Sequence, residues 1–525
     1  MGKLHKKSIL KKTASVSASL LFSKLLGVVR EIFQVSYLGV GAFSDAFNTA
    51  LKIPNLLRKI FAEGALSAAF VPTIIKVTSE DSQKQASKLM TLTYAVFGTL
   101  VLALCVLISF FPHVIIRLIA SGFINKPVEM EVATSIIRIL IYFVFFMFTS
   151  ALLQSALQAK MHFTVPAWGP TLLNVFYIAG LAVCQWMGFS VEVFSYFLLF
   201  GGLAQALIYA YVYVGLHFTI EWPDKNTYKY FKEVIAKFIP CLLSVSIVEI
   251  NLIIDNNFAS TLPTGSATLV SISSKFMTIA LGAFAVAFST ILLPHFSRIS
   301  TYAPKRLSYY LLESTKFIFW ITIPVALLMT FFSYDIFYTI FYQITGEFTL
   351  AMVTEAASLL VAFLPGLFFF SINKMLLNIF YALHETRYTA IITVIGVMVN
   401  VILNRFLMPL YGAQGIALAT VFAAVVQTLL LLIVLQQRLG LKIYMKQFTR
   451  YMLAYGIQLA IFMGIFFLLY HLGVMAIIYV VPERFADFLL HHIGLWMWVG
   501  PICLIPAGFL YYMRNKGGVS LYFLE

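Results

Sequence analysis

The chain has 525 residues, of which 61% are hydrophobic, 16% aromatic and 11% charged, with a mean hydropathy of +0.92. A soluble globular protein carries roughly a quarter charged residues and ~45–50% apolar ones. Too few charges are present to clothe a soluble surface of this size, which excludes an ordinary soluble enzyme, a secreted disulfide scaffold and a disordered chain. The expected fold class is an all-α polytopic membrane protein. Lys and Arg number 36 against 21 Asp and Glu, a net charge of +15. In a soluble chain that balance suggests nucleic acid. In a membrane chain it reports orientation, because basic residues collect in cytoplasmic loops, so no nucleic-acid partner is expected.

Apolar runs of about 20 residues place about 14 transmembrane helices, near 15–38, 44–74, 88–111, 132–158, 166–187, 193–218, 236–260, 267–296, 310–333, 353–380, 388–408, 413–436, 450–473 and 491–513. Lys3 to Lys12 looks like the basic start of a signal peptide. The apolar stretch behind it contains Lys24, Arg30 and Glu31, so it reads as a retained first helix. Short amphipathic pieces near 112–124, 224–234 and 475–488 are expected in the interface. With the N-terminus in the cytoplasm, 23 basic residues fall in cytoplasmic segments and three (Arg117, Lys126 and Arg484) on the opposite side. This bias supports an even span count with both termini cytoplasmic. Cys105, Cys184, Cys241 and Cys503 lie far apart in apolar runs and read as packing residues, without zinc or disulfide spacing.

A faint internal repeat joins residues 64–76, GALSAAFVPTIIK, to residues 286–298, VAFSTILLPHFSR. Ser67 matches Ser289, Pro72 matches Pro294 and Lys76 matches Arg298, at an offset of 222 residues or six spans. Both copies then run in the same direction, which implies two parallel six-helix lobes related by an axis along the membrane normal. Chance similarity of apolar helices is the alternative. The expected division is 1–223 for helices 1–6, 224–440 for helices 7–12, and 441–525 for two additional C-terminal helices.

A charge near the bilayer centre costs at least ~2.5–3.5 kcal/mol and usually faces protein or a wet interior. Span 1 holds Lys24, Arg30 and Glu31. Span 2 holds Asp45, Lys52, Arg58, Lys59 and Glu63, with Pro54 and Gly64 as the expected bend, and span 8 holds Lys275. Some of these charges can pair, Arg30 with Glu31 or Asp45, and Lys59 with Glu63 at i,i+4. Across spans 1, 2 and 8, six bases face three acids. Surplus positive charge suits an anion, and Arg forks suit phosphate oxygens. On span 11, Asn400 and Asn404 share a face that Thr420 of span 12 can join. They are candidates for a Na+ site or, alternatively, for interhelical hydrogen bonds. Asp255 on span 7 is a separate candidate for cation or proton coupling. His113, His162, His295, His384, His491 and His492 lack metal-ligand spacing. No P-loop motif occurs, so the membrane potential or a Na+ or H+ gradient is the expected energy source, with no other cofactor.

The segments KIPNLLRKIFAEGALSAAFVP (52–72), FSKLLGVVREIF (22–33) and SDAFNTA (44–50) resemble the MurJ/MviN lipid II flippases of bacterial envelopes. These belong to the multidrug/oligosaccharidyl-lipid/polysaccharide exporter superfamily. Agreement continues through NLIIDNNFASTLPTGSATLVSISSKFM (251–277) and FSTILLPHFSR (288–298). The resemblance implies a transporter of the bacterial inner membrane, not an enzyme. It would move lipid II, a polyprenyl pyrophosphate bearing a sugar-peptide headgroup, to the outer leaflet by alternating access. It further implies Lys24, Arg30, Arg58 and Lys275 as substrate-binding residues, and Glu31, Asp45 and Glu63 as acidic partners or gating groups. Helices 13 and 14 would wall a groove for the polyprenyl chain. The chain departs from the pattern at Ser274-Lys275, where relatives often read Asp-Arg, and at Thr278, where they carry an acid; Lys keeps the charge without the bidentate fork. Two other classes compete. A cation-coupled drug exporter of the same superfamily would want surplus acid in its cavity. A polyprenyl-dependent glycosyltransferase, with Asp45 as base, would want a substantial outer domain.

Overall fold

The computed structural model describes residue 23 and residues 26–514, except 64, 161, 163, 283–286 and 384. Every described element is helical. The described residues form two compact units that divide between Thr268 and Leu269.

The first unit begins with α1 (26–38) and a broken second span: α2 (Ala42–Ala50), α3 (Lys52–Arg58), a π-helical turn Lys59–Glu63, and α4 (Ala65–Glu80). There follow α5 (Gln83–Phe110), α6 (Pro112–Ile119), α7 (Pro127–Leu140), α8 (Phe143–Ala159), α9 (Thr164–Met187), α10 (Val191–Gly215) and α11 (Lys225–Ser260). α12 (Ser266–Leu281) starts in this unit and leads into the second. That unit contains α13 (Ala287–Tyr302), α14 (Leu307–Phe331), α15 (Ser333–Phe337), α16 (Leu350–Phe363), α17 (Gly366–Ala382), α18 (Thr386–Tyr411), α19 (Ala413–Gln437), α20 (Met445–Val480), α21 (Glu483–His491) and α22 (Gly494–Met513).

Among the described residues, nine helical stretches are long and apolar enough to cross a bilayer: α5, α7 with α8, α9, α10, α14, α18, α19, α20 and α22. α16 and α17, bent by 42° at their junction, form a tenth. The chain is therefore a polytopic membrane protein. The other four expected spans fall on α1, on the α2–α4 series, on α11, and on α12 with α13. Each of these four segments carries charges or is broken along its length. α4 ends at Glu80 and α13 ends at Tyr302, 222 positions apart. The repeat offset recurs in the helix bounds.

Two of the expected interfacial pieces differ. Residues 224–234 are not a separate segment, because α11 runs unbroken for 36 residues. Its start is fixed by a capping box: the Asp224 carboxylate accepts from the Thr227 amide at 2.9 Å, and the Thr227 hydroxyl accepts from the Asp224 amide at 3.1 Å. Lys88 donates to Asp224 at 2.6 Å and Gln85 donates at 3.0 Å, tying α5 to this start. These donors, Lys88 foremost, hold the Asp224 carboxyl well below the usual carboxylate range. The stability it contributes is complete above its unfolded pKa of about 3.9, and is lost only as pH falls through the depressed folded value. Residues 475–488 are shared by the end of α20 and the start of α21. The piece near 112–124 is a short helix, α6, followed by a 3-10 turn at Ser121–Asn125.

In the second unit, α20 and α22 pack on α14. The Tyr451 hydroxyl donates to the Lys316 carbonyl at 3.2 Å, and Tyr455 donates to the Trp320 carbonyl at 2.8 Å. The two tyrosine rings stack with centroids 5.7 Å apart. The opposite side of α20 exposes Leu453, Ile457 and Leu468, an apolar face that suits acyl chains.

Candidate functional site

The second span is irregular for identifiable reasons. Pro54 has no N–H for the Ala50 carbonyl and its ring crowds that position, so the helix breaks at Leu51 before resuming as α3. Pro54 itself is buried in the first turn of α3, where a missing donor costs little. Arg58 is half-buried at the end of α3, and the π-turn that follows re-aims the next residues. Lys59 stands at its start. Its ammonium meets the Glu249 carboxylate of α11 at 2.6 Å. Glu63 closes the π-turn and its side chain is outside the described set; Gly64 and Lys24 also lie outside the described residues.

Arg30 on α1 is the best-defined cation. Its guanidinium donates to Glu31 at 2.9 Å and to the Asn174 side-chain oxygen at 3.3 Å, and lies 4.9 Å from the centre of the Tyr177 ring. Asn174 and Tyr177 are three residues apart on α9 and so present one face. The Arg30 Nε–H is buried with no hydrogen-bond partner among the described residues. The Arg30 side chain is 33% exposed and Glu31 13%, so the fork is held from one side while remaining reachable. Of the two partners considered for Arg30, the structure chooses Glu31.

Asp45 is used otherwise. Its carboxylate, almost wholly buried, accepts from the Gly265 amide at 2.7 Å, the Thr268 amide at 2.8 Å and the Thr268 hydroxyl at 2.6 Å. It caps the first turn of α12 from another helix, where orphan amides and the positive end of the helix dipole both favour a carboxylate. Gly265 sits at φ +95, a left-handed conformation that suits glycine.

α11 is sewn to the second span and the α6 region by the motif around Asp255. Asn256 donates to the Thr49 hydroxyl at 3.3 Å and the Ile119 carbonyl at 3.2 Å, and Asn257 donates to the Leu118 carbonyl at 2.9 Å. The Gly122 amide donates to the Ser260 hydroxyl at 3.0 Å, and a Cβ at Gly122 would run into the Ser260 carbonyl. Asp255 itself is half-buried on this stretch. Further along α11, Lys237 donates to Thr73 at 3.2 Å and Glu233 faces Lys76 at 3.6 Å.

Counting α11 changes the charge balance. With its four bases (Lys225, Lys229, Lys232 and Lys237) and three acids (Glu233, Glu249 and Asp255) added to those of spans 1, 2 and 8, ten bases stand against six acids, a surplus of four. Of the acids, Glu249 is committed to Lys59, Asp45 to the start of α12, and Glu31 to Arg30. Glu249 is a partner that sequence reasoning passed over, as are the neutral residues Gln34, Asn48, Asn174 and Tyr177. The signal for Glu249 was an acid within an apolar span. A charge exchange, Lys59→Glu with Glu249→Lys, is expected to restore most of the thermal stability that either single change removes. Detergent-solubilised melting curves of the three variants check this; additive losses in the double variant would mean that the pair does not interact.

In the second unit, Lys275 is half-buried midway along α12. The Ser273 hydroxyl of that helix donates to the Ala356 carbonyl of α16 at 3.0 Å, and the Thr278 hydroxyl donates to the Ser274 carbonyl at 2.8 Å. Asn400 and Asn404, both fully buried, do meet Thr420. Asn404 donates to the Asn400 oxygen at 2.8 Å and Asn400 donates to the Thr420 hydroxyl at 3.2 Å. The three form an interhelical amide–hydroxyl chain.

Comparison with known proteins agrees with this architecture. The family model described as lipid II flippase MurJ matches residues 34–485. A protein of Rhizobium meliloti named "Probable lipid II flippase MurJ" is 30% identical over 430 residues, covering 81% of this chain and 80% of its own. One of Burkholderia cenocepacia named "Lipid II flippase MurJ" is 28% identical over 435 residues, covering 81% and 83%. A solved structure titled "Lipid II flippase MurJ, inward closed conformation" superimposes with a TM-score of 0.75 at 26% identity, covering 95% of this chain and 99% of that one. An inward-facing multidrug transporter of the MATE family shares the fold alone, at 17% identity and a TM-score of 0.64, over 77% of this chain and 93% of that one. The chain belongs to the MurJ family of lipid II flippases.

Proposed function

We propose that this protein translocates lipid II from the cytoplasmic to the outer leaflet of a bacterial inner membrane, with both termini in the cytoplasm. Arg30 and Arg58 bind the pyrophosphate, together with Lys275 and Lys24 by motif position. Glu31 balances Arg30 between cycles. The observation that carries the assignment of the site is Arg30: a guanidinium inside a membrane protein, oriented by Glu31, Asn174 and Tyr177, with a buried donor left over. Phosphate oxygens are the acceptors such a fork fits best. The proposal includes no covalent step. The chain moves its substrate by alternating access between two six-helix lobes, drawing on the membrane potential or on a Na+ or H+ gradient. Helices 13 and 14, here α20 and α22, offer the polyprenyl chain an apolar face.

Complementation of a bacterial strain depleted of its lipid II flippase tests this reading. Expression of this chain is expected to restore growth and cell shape. Lysis despite normal abundance in the membrane would contradict the function.

A further inference from the structure

A continuous series of buried hydrogen bonds runs from the ring beneath Arg30 to the start of α12, and every donor points the same way. The Tyr177 hydroxyl donates to the Gln34 side-chain oxygen at 2.7 Å. The Gln34 amide donates to the Asn48 oxygen at 3.1 Å. The Asn48 amide donates to the Thr268 hydroxyl oxygen at 3.4 Å, and the Thr268 hydroxyl donates to Asp45 at 2.6 Å. Tyr177, Gln34, Asn48 and Thr268 are all buried, so water cannot substitute for a lost partner at low cost.

The polarity of this series follows from its last member. An ionised carboxylate accepts and never donates, so Asp45 requires the Thr268 proton. The Thr268 oxygen is then left to accept, which suits the Asn48 amide, and so on back to Tyr177. Reversing the Asn48 amide sets donor against donor at Gln34 and acceptor against acceptor at Thr268, and reversing Gln34 alone sets acceptor against acceptor at Asn48. The chain therefore behaves as a unit, and aligned hydrogen bonds in a low-dielectric interior reinforce one another.

We propose that Tyr177 and Gln34 are positioning residues that link the occupancy of Arg30 to the first turn of α12, the helix that carries Lys275. This rests on the reading of Arg30 as a phosphate ligand. When phosphate oxygens engage the guanidinium, it shifts over the Tyr177 ring, and the Tyr177 hydroxyl moves with the ring. Gln34 must follow or lose its donor, Asn48 follows Gln34, and the hydrogen bonds that hold Gly265 to Thr268 are reweighted. Networks with two discrete arrangements are the means by which one site biases another.

The test uses the full-length chain in nanodiscs, with lipid II as the probe, and three variants: Tyr177→Phe, Gln34→Leu and Arg30→Ala. Tyr177→Phe removes one oxygen and leaves the ring under Arg30. In the wild type, lipid II is expected to change amide exchange across residues 265–268. In Tyr177→Phe and Gln34→Leu, lipid II should still bind within about twofold of wild type, while the exchange response disappears and translocation slows by about tenfold or more, the scale of one or two lost hydrogen bonds. A packing role alone would alter basal exchange without removing the response to lipid II. If Tyr177→Phe translocates and responds like the wild type, the link is overturned, even where Gln34→Leu fails to fold. If Arg30→Ala binds lipid II like the wild type, the anion site itself is wrong. Loss of binding in Arg30→Ala with normal behaviour of the other two variants removes the link and leaves the site standing.

Discussion

Arg30→Ala is expected to abolish lipid II translocation while leaving the protein folded in the membrane. The guanidinium supplies charge-assisted hydrogen bonds, each contributing about 1.5–3 kcal/mol. Losing two to a pyrophosphate therefore weakens binding by roughly 100-fold or more. The fold tolerates the change better than the function does, because Arg30 is one-third exposed and its partner Glu31 lies beside it on the same helix. Arg30→Lys keeps the charge but not the planar fork, and should fall between the two. Complementation of a flippase-depleted strain, with membrane abundance measured alongside, reads both variants. Growth at the wild-type rate with Arg30→Ala would remove Arg30 from the site.

Asp45→Ala has the opposite signature, a loss of stability first. The carboxylate satisfies two backbone amides and one hydroxyl at the start of α12 in a nearly inaccessible position. Each buried donor left unmet costs about 1–3 kcal/mol, so the substitution should destabilise the protein by about 3–5 kcal/mol. That is a large share of the 5–15 kcal/mol by which a typical domain is stable. Asp45→Asn retains one accepting oxygen and should lose about half as much. Thermal unfolding of purified protein in detergent distinguishes them, the expected order of midpoints being wild type, then Asn, then Ala. An Ala variant that melts with the wild type would show that Asp45 does not hold the first turn of α12.

The parts of this architecture legible in the sequence are those set by solvent. Uninterrupted apolar runs fixed several spans to within a few residues: 166–187 against Thr164–Met187, and 413–436 against Ala413–Gln437. The broken second span was legible through Pro54, although the π-turn at Lys59–Glu63 has no comparable residue signature. The start of α11 was not legible, because the charges of 224–234 read as a short amphipathic piece in the interface ahead of a span beginning near 236. Its polar side chains instead have partners on other helices, Lys237 at Thr73 and Glu233 at Lys76. Charges identified Arg30, Arg58 and Lys275 as candidates, since a cation within a membrane span demands a reason. Their partners were less visible. Asp45 reaches Gly265 across 220 residues, a distance over which local pattern carries no information. Gln34, Asn48, Asn174 and Tyr177 are neutral and individually unremarkable in a helix; only their buried geometry makes them a network.

The claim on which the account depends is that Arg30 and Arg58 recognise the diphosphate rather than the lipid. The most direct measurement compares lipid II with undecaprenol, which has the same chain and no phosphate, by native mass spectrometry on the wild type and on an Arg30→Ala, Arg58→Ala double variant. The wild type should prefer lipid II by at least about 100-fold, the scale of two charge-assisted bonds, and the double variant should lose most of that preference while binding undecaprenol unchanged. Equal discrimination by both proteins would place phosphate recognition elsewhere in the chain.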